Sequence, residues 1–353
     1  MRRIIVFCML AVLSTLPALG AGASVPGLDQ VWDQAEGLGV SQDASLDEGL
    51  SNLFSDALGQ IGLLFRTSLS TAMKLIAVVL LCSLAESARA GQEEGLKAVT
   101  IAGVLAITAL TMTDMAAMIG LGRDTLGRME EFSSVLLPVM AVLTAATGAV
   151  TGAAVRQGAT VLFSQLLLTV MDRLLIPLIY AYVTMNCAQA AVDNPGLKKV
   201  ADMLKNTATF LLNALLLSFV GYLTASGAIA GSVDAAAVKA AKLAISRAIP
   251  VVGGILADAS ESVLAGAGAL KGTVGGVGLV VVLAICLTPF LRLALQYLVY
   301  KGAAALCATV AQPKLSGLID AIGSAFGLVL GMTGAGALVL LVSLVSAIGA
   351  VAS

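Results

Sequence analysis

The chain contains no histidine. That absence removes Ser-His-Asp and Cys-His nucleophile systems and most zinc sites. Charge is scarce too: Asp, Glu, Lys and Arg make up 12% of the residues, against about 25% in ordinary globular proteins. The formal net charge of −1 leaves no basic field to hold nucleic acid. Aromatic residues are only 4%, which disfavours stacking platforms for bases or sugars. The five cysteines, Cys8, Cys82, Cys187, Cys286 and Cys307, show no C-x-x-C spacing and read as small buried hydrophobes, not metal ligands or disulfides. The glycine runs "GAGAL" and "GTVGGVG" are not followed by Gly-Lys-Ser/Thr and sit in apolar sequence, so no phosphate loop and no ATPase site is expected. The expectation is a protein that is not an enzyme, with no metal and no cofactor.

What the chain has in excess is apolar surface. Hydrophobic residues are 59% of the 353, and mean hydropathy is +1.00. A soluble protein of this size needs far more charge to cover itself, so lipid is the main solvent. Arg2 and Arg3 precede an apolar core, Ile4 to Leu16, and Ala21-Gly22-Ala23 closes the segment, which reads as a secretory signal peptide over residues 1–23. Residues 24–66 differ from everything after them: Asp29, Asp33, Glu36, Asp43, Asp47, Glu48 and Asp56 precede the first basic residue, Arg66. This is an acidic extracytoplasmic segment, too short to bury much core alone.

A bilayer core of about 30 Å needs roughly 20 apolar helical residues. Candidate spans are 68–87, 98–120, 132–153, 159–190, 207–230, 273–298 and 325–351, with 249–271 an eighth, weaker one. The runs are continuous and Ala/Leu-rich, without the period-two alternation of a membrane β-barrel. The expected fold is therefore all-α and polytopic, with about seven or eight transmembrane helices. The short amphipathic stretches 232–247 and 314–324 are expected in the interface plane. Lys and Arg do not orient the chain: with an exported N-terminus and seven crossings, seven fall on one side and eight on the other.

Proline spacing suggests an internal two-fold repeat. Pro138 and Pro250 are 112 residues apart, as are Pro177 and Pro289, and Pro195 and Pro313 match after a slip of six. Membrane helices over 67–131 would precede repeat 1, within 132–248, and repeat 2, within 249–353. If each unit crossed an odd number of times the halves would be inverted, as in many transporters.

Polar residues inside apolar runs are the candidate site. Gln165, Thr169, Asp172 and Tyr180 share one helical face, with Arg173 beside them. Thr288, Arg292 and Gln296 recur at four-residue spacing in the second unit. An intramembrane carboxylate must face protein or water. These residues therefore read either as a polar seam lining a pathway or as interhelical ties. Asp258 and Glu261, in "PVVGGILADASESVLAGAGALKG", lie three residues apart on one face, and read as a cation or proton site or as a re-entrant hairpin reaching headgroup water. The Gly-x-Gly-Asp context of an intramembrane aspartyl protease is absent. Gly148 and Gly152, and Gly323, Gly327 and Gly331, repeat every four residues and suit close helix packing.

Three long stretches carry a family likeness: "SQLLLTVMDRLLIPLIYAYV" (164–183), "AIPVVGGILADASESVLAGAGALKG" (248–272) and "LTPFLRLALQYLVYKGAAALC" (287–307). From Ser133 onward the chain resembles the stage III sporulation protein AE family. The resemblance implies an integral protein of the outer forespore membrane, made by the mother cell, with its mature N-terminus in the intermembrane space. It implies a permease-like subunit of a channel complex between mother cell and forespore. The expected partners are other proteins of the stage III sporulation A operon, an ATPase and ring-forming subunits, together with membrane lipid. It carries over no functional residue. The alternative reading is an autonomous secondary transporter with inverted repeats and an ion or proton site.

Overall fold

In a computed structural model of the chain, the described residues are 33, 46–88, 93–146, 151–192, 194–225, 273–310 and 313–352. The leader, most of the acidic segment, Gly148, Pro250, the stretches 232–247 and 249–271, and hence Asp258 and Glu261, lie outside them. Every element among the described residues is helical: α1 Leu46–Ala88, α2 Glu93–Ala146, α3 Thr151–Val170, a π turn Met171–Leu175, α4 Ile176–Val192, α5 Pro195–Ala225, α6 Thr273–Ala308 and α7 Pro313–Ala352. Six stretches in these helices are long and apolar enough to cross a membrane.

Two boundaries differ from expectation. The separate spans 98–120 and 132–153 are one helix through residue 146, the 54-residue α2. The intervening Arg, Asp, Glu, Leu and Met are good or tolerable helix formers, no proline falls among them, and the helix runs on through Gly122 and Gly127. The stretch 314–324 is the opening of α7 and does not lie apart from it. Pro313 starts that helix at the position where a missing N–H costs nothing. α5 opens the same way: Asn194 Oδ1 accepts the Gly196 N–H at 2.8 Å, capping a helix that begins with Pro195. Between α3 and α4, Ile176 N–H donates to the Met171 carbonyl, widening one turn just before Pro177. Proline has no N–H and its ring crowds the preceding turn, so the π turn accommodates it without ending the helix.

α7 is the post around which the bundle is built. In its most apolar stretch 83% is buried, against 22–50% in the other five spans. It touches α2, α3, α4, α5 and α6. Close backbone approaches set the register. A Cβ on Gly323 would lie 3.2 Å from the Tyr300 Cβ, and one on Gly278 3.2 Å from Leu344, so α6 and α7 are antiparallel. A Cβ on Gly103 would meet Leu315 at 3.2 Å and one on Gly336 would meet Leu126 at 2.9 Å, so α2 runs parallel to α7. Ser164 and Ser343 share a buried hydroxyl hydrogen bond of 2.6 Å, and Gly336 faces Leu168, so α3 and α4 run antiparallel to α7. The starts of α2 and α7 consequently lie at one end of the bundle, where Ser83 Oγ of α1 donates to the Val310 carbonyl at 2.8 Å.

The directions bear on the repeat. α4, which carries Pro177, and α6, which carries Pro289, both run antiparallel to α7, while α5, whose Phe219 stacks on Phe163 at the level where Ser164 meets Ser343, runs with α7. The matched described helices are therefore in the same sense, not inverted.

Gly122 packs into the side chain of Val329 on α7, where a Cβ would clash, while a Cβ on Gly302 would have open space around it. Gly122→Ala should lower stability by about 1–3 kcal/mol, the ordinary cost of overpacking, and Gly302→Ala should be neutral or slightly stabilising. Equilibrium unfolding in mixed micelles checks the contrast; equal effects would contradict the packing.

Candidate functional site

The bundle holds a buried polar network at one level and a band of charge further along. The network joins α1, α2 and α6. Asp114 Oδ2 accepts from Tyr300 Oη at 2.9 Å and from Gln296 Nε2 at 3.1 Å. Gln296 Oε1 in turn accepts from Ser68 Oγ at 2.7 Å. Tyr300 is fully buried and its ring meets Phe326 edge-on, with centroids 4.9 Å apart. Both atoms of the Gln296 amide are used, so its orientation is set by its two partners. The carboxylate is held by donors from one helix, α6, and the amide carries the connection on to α1.

The second feature surrounds Asp172. Its Oδ1 accepts from Arg123 Nε at 3.0 Å, with side-chain exposures of 26% and 64%. Thr169 Oγ1 donates to Glu130 Oε1 at 3.2 Å, a second tie between α3 and α2. The π turn contains Asp172 and alters the angular spacing at that point, which aims the carboxylate at α2. An open cleft of about 420 Å³ lies here between Arg123, Asp124, Arg128, Glu131 and Asp172. A third tie closes the α6–α7 hairpin: Lys301 Nζ donates to Asp320 Oδ1 and to Ser324 Oγ, each at 2.7 Å.

Of the residues singled out in the sequence, Gln296 is buried at the heart of the network and Asp172 is paired to α2. Gln165 is half-buried on α3. Arg173 and Arg292 are exposed and make no ion pair among the described residues. Gln296 and Asp172 do not meet; each bonds to α2, at Asp114 and Arg123, nine residues apart. Gly323 packs on Tyr300 and Gly327 on the Tyr297 ring, and Gly331 is buried in α7. Ser68, Asp114 and Tyr300 are functional candidates that the pattern search passed over. The signal for Asp114 was present: it is the one ionisable residue between Lys97 and Arg123.

Chemically, these sites bind helices to one another. The cysteines Cys82, Cys187, Cys286 and Cys307 are free thiols. Among the described residues no three His, Cys, Asp or Glu gather closely enough to hold a metal ion.

Six long apolar helices, one of them a buried post, tied by interhelical hydrogen bonds, define an α-helical membrane protein of the polytopic class. The family model for stage III sporulation protein AE matches residues 41–351, and the chain belongs to that family. It is similar to the stage III sporulation protein AE of Bacillus subtilis (strain 168), 26% identical over 203 residues, which cover 58% of this chain and 50% of that relative. The matched stretch thus spans about half the length of the curated relative. No solved structure matches the chain.

Asp114→Ala leaves two buried donors without an acceptor and should cost about 1–3 kcal/mol for each. Asp172→Ala breaks a solvent-facing pair and should cost less than about 1 kcal/mol. Combining Asp114→Ala with Tyr300→Phe should fall well short of additive. Unfolding free energies of the single and double variants test this; equal losses for Asp114 and Asp172 would refute it.

Proposed function

We propose that the chain is a permease-like membrane subunit of the channel complex between mother cell and forespore, seated in the outer forespore membrane and required for forespore development. Family membership supports the sporulation role. The observation that carries the subunit reading is how the polar groups are divided among the described residues. Asp114 and Gln296, inside the bundle, are engaged with other helices, whereas Asp124, Arg128, Glu131, Arg173 and Arg292 face outward from helices of membrane-crossing length. A self-sufficient carrier concentrates its ionisable groups around an internal site at the interface of its halves. A subunit of an assembly presents them to neighbours.

The same-sense course of α4 and α6, and of α5 and α7, also weighs against the inverted-repeat carrier. On this reading the two hairpins, α3 to α5 and α6 to α7, are parallel repeats. The ATPase and ring-forming proteins of the same operon are the partners to which the outward groups belong.

Two measurements separate the readings. Full-length tagged chain, solubilised from sporulating cells, should co-purify an ATPase and ring-forming proteins. The purified chain alone in proteoliposomes should show no ion-coupled uptake. Uptake that disappears in Asp258→Asn/Glu261→Gln, with no co-purifying proteins, would overturn the subunit reading in favour of a transporter.

A further inference from the structure

Helix α5 carries a polar stripe outside the networks described above. Lys199, Asp202, Met203, Asn206, Thr207 and Phe210 fall on one helical face and line a cleft of about 540 Å³. The four polar side chains have no hydrogen-bond or ion-pair partner among the described residues.

A matching pair on α7 shows what such groups hold. Both helices open on a proline and run in the same sense. Asp202 stands seven residues after Pro195, and Asp320 seven after Pro313; Asn206 and Ser324 each stand eleven after. On α7 the pair seats a primary ammonium: Lys301 Nζ donates to Asp320 Oδ1 and to Ser324 Oγ, each at 2.7 Å. On α5 a carboxylate and an amide oxygen offer the same kind of acceptors at the same spacing. Tyr182 of α4 lies within electrostatic reach of both carboxylates, so the two pairs flank one helix.

Depth and surroundings say where an ammonium would come from on α5. Lys205 is the last charge on that helix. The 20 residues from Asn206 to Ala225 carry none and make about 30 Å of helix, one hydrocarbon thickness. The cleft therefore lies at headgroup level, with Phe210 and Leu217 exposed along the same face toward the bilayer interior. Lys199 and Thr207 bring donors for a phosphate beside the acceptors for an ammonium. The connection from α5 to α6 leaves at Ala225 and returns at Thr273, about 34 Å along the helix from Asp202.

We propose that this cleft binds an aminophospholipid, whose headgroup joins a phosphate to a primary ammonium. Asp202 and the Asn206 side-chain carbonyl accept from the ammonium, as Asp320 and Ser324 accept from Lys301. Lys199 and Thr207 donate to the phosphate oxygens, and an acyl chain lies along Phe210 and Leu217. Acyl chain, phosphate and ammonium follow one another along the lipid as Phe210, Thr207 and Asp202 do along the helix. A headgroup with phosphate alone leaves Asp202 facing an anion, and a trimethylated one has no N–H to donate.

The test is native mass spectrometry of the full chain in detergent. The probes are phosphatidylethanolamine, phosphatidylcholine and phosphatidylglycerol with identical acyl chains. Phosphatidylethanolamine should be retained about tenfold more strongly than either, the effect of one charge-assisted hydrogen bond. Asp202→Asn should erase the margin over phosphatidylcholine, and Lys199→Ala should weaken both lipids alike. Asp202→Glu should keep most of the margin, which also shows that a change at this position leaves the chain folded. Equal retention of the three lipids, a preference for phosphatidylglycerol, a margin that survives Asp202→Asn, or its loss in Asp202→Glu would each overturn the proposal. So would a disulfide within one chain between Asn206→Cys and Lys239→Cys, which puts the α5–α6 connection in the cleft.

Discussion

Hydrocarbon offers no hydrogen bonds. Every polar group that a helix carries into the bilayer must find its partner in protein, and this requirement decides how the helices here are arranged. Asp114 could not sit on α2 at that depth without Tyr300 and Gln296 opposite it. Gln296 could not be buried without Ser68 to complete its amide. The network therefore does more than join three helices: it allows one rotation and one height for each. A shift of α6 by a single residue turns Gln296 away from both partners, since neighbouring positions lie about 100° apart around the axis.

Apolar contact alone could not impose that selectivity. Lipid tails are as apolar as leucine, so helices in a membrane gain little by leaving lipid for one another. Close fit and interhelical hydrogen bonds have to supply the preference. α7 shows the first of these. Gly323 and Gly327 pack against Tyr300 and Tyr297 of α6, Gly336 packs against α2 and α3, and glycines of α2 and α6 face side chains of α7 in return. The buried hydroxyl pair Ser164–Ser343 shows the second. The exposed Arg123–Asp172 pair is of another kind. Open to its surroundings, it orients α2 and the π turn but holds little free energy.

Much of this was legible in the chain itself, and the remainder was hidden for physical reasons. Hydropathy located the apolar helices because bilayer thickness is a length, and length is written directly in residue number. The prolines at 177, 195 and 313 stood out as a spacing, but that two of them open α5 and α7 and the other follows a π turn was not read from it. Gln296 stood out as a polar residue at regular spacing in an apolar run. Asp114 did not, because it repeats in no motif; only its isolation between Lys97 and Arg123 marked it. The continuity of α2 was obscured because charged residues mark the edge of a membrane span without breaking a helix. The pairing of Asp172 with α2 depended on the π turn, which changes the angular spacing that a regular 3.6-residue count assumes.

The direction of the helices then constrains what such a bundle can do. Alternating-access carriers of the inverted type place their site where two oppositely inserted halves meet, and the pseudo-symmetry makes the two facing states equivalent. Here α4 and α6 share one sense and α5 and α7 the other, so these described helices are not related to one another by inversion. The buried post adds to this. A helix surrounded on nearly every side, and locked by glycine contacts to α2 and α6 at several heights, is a poor candidate for sliding or rocking.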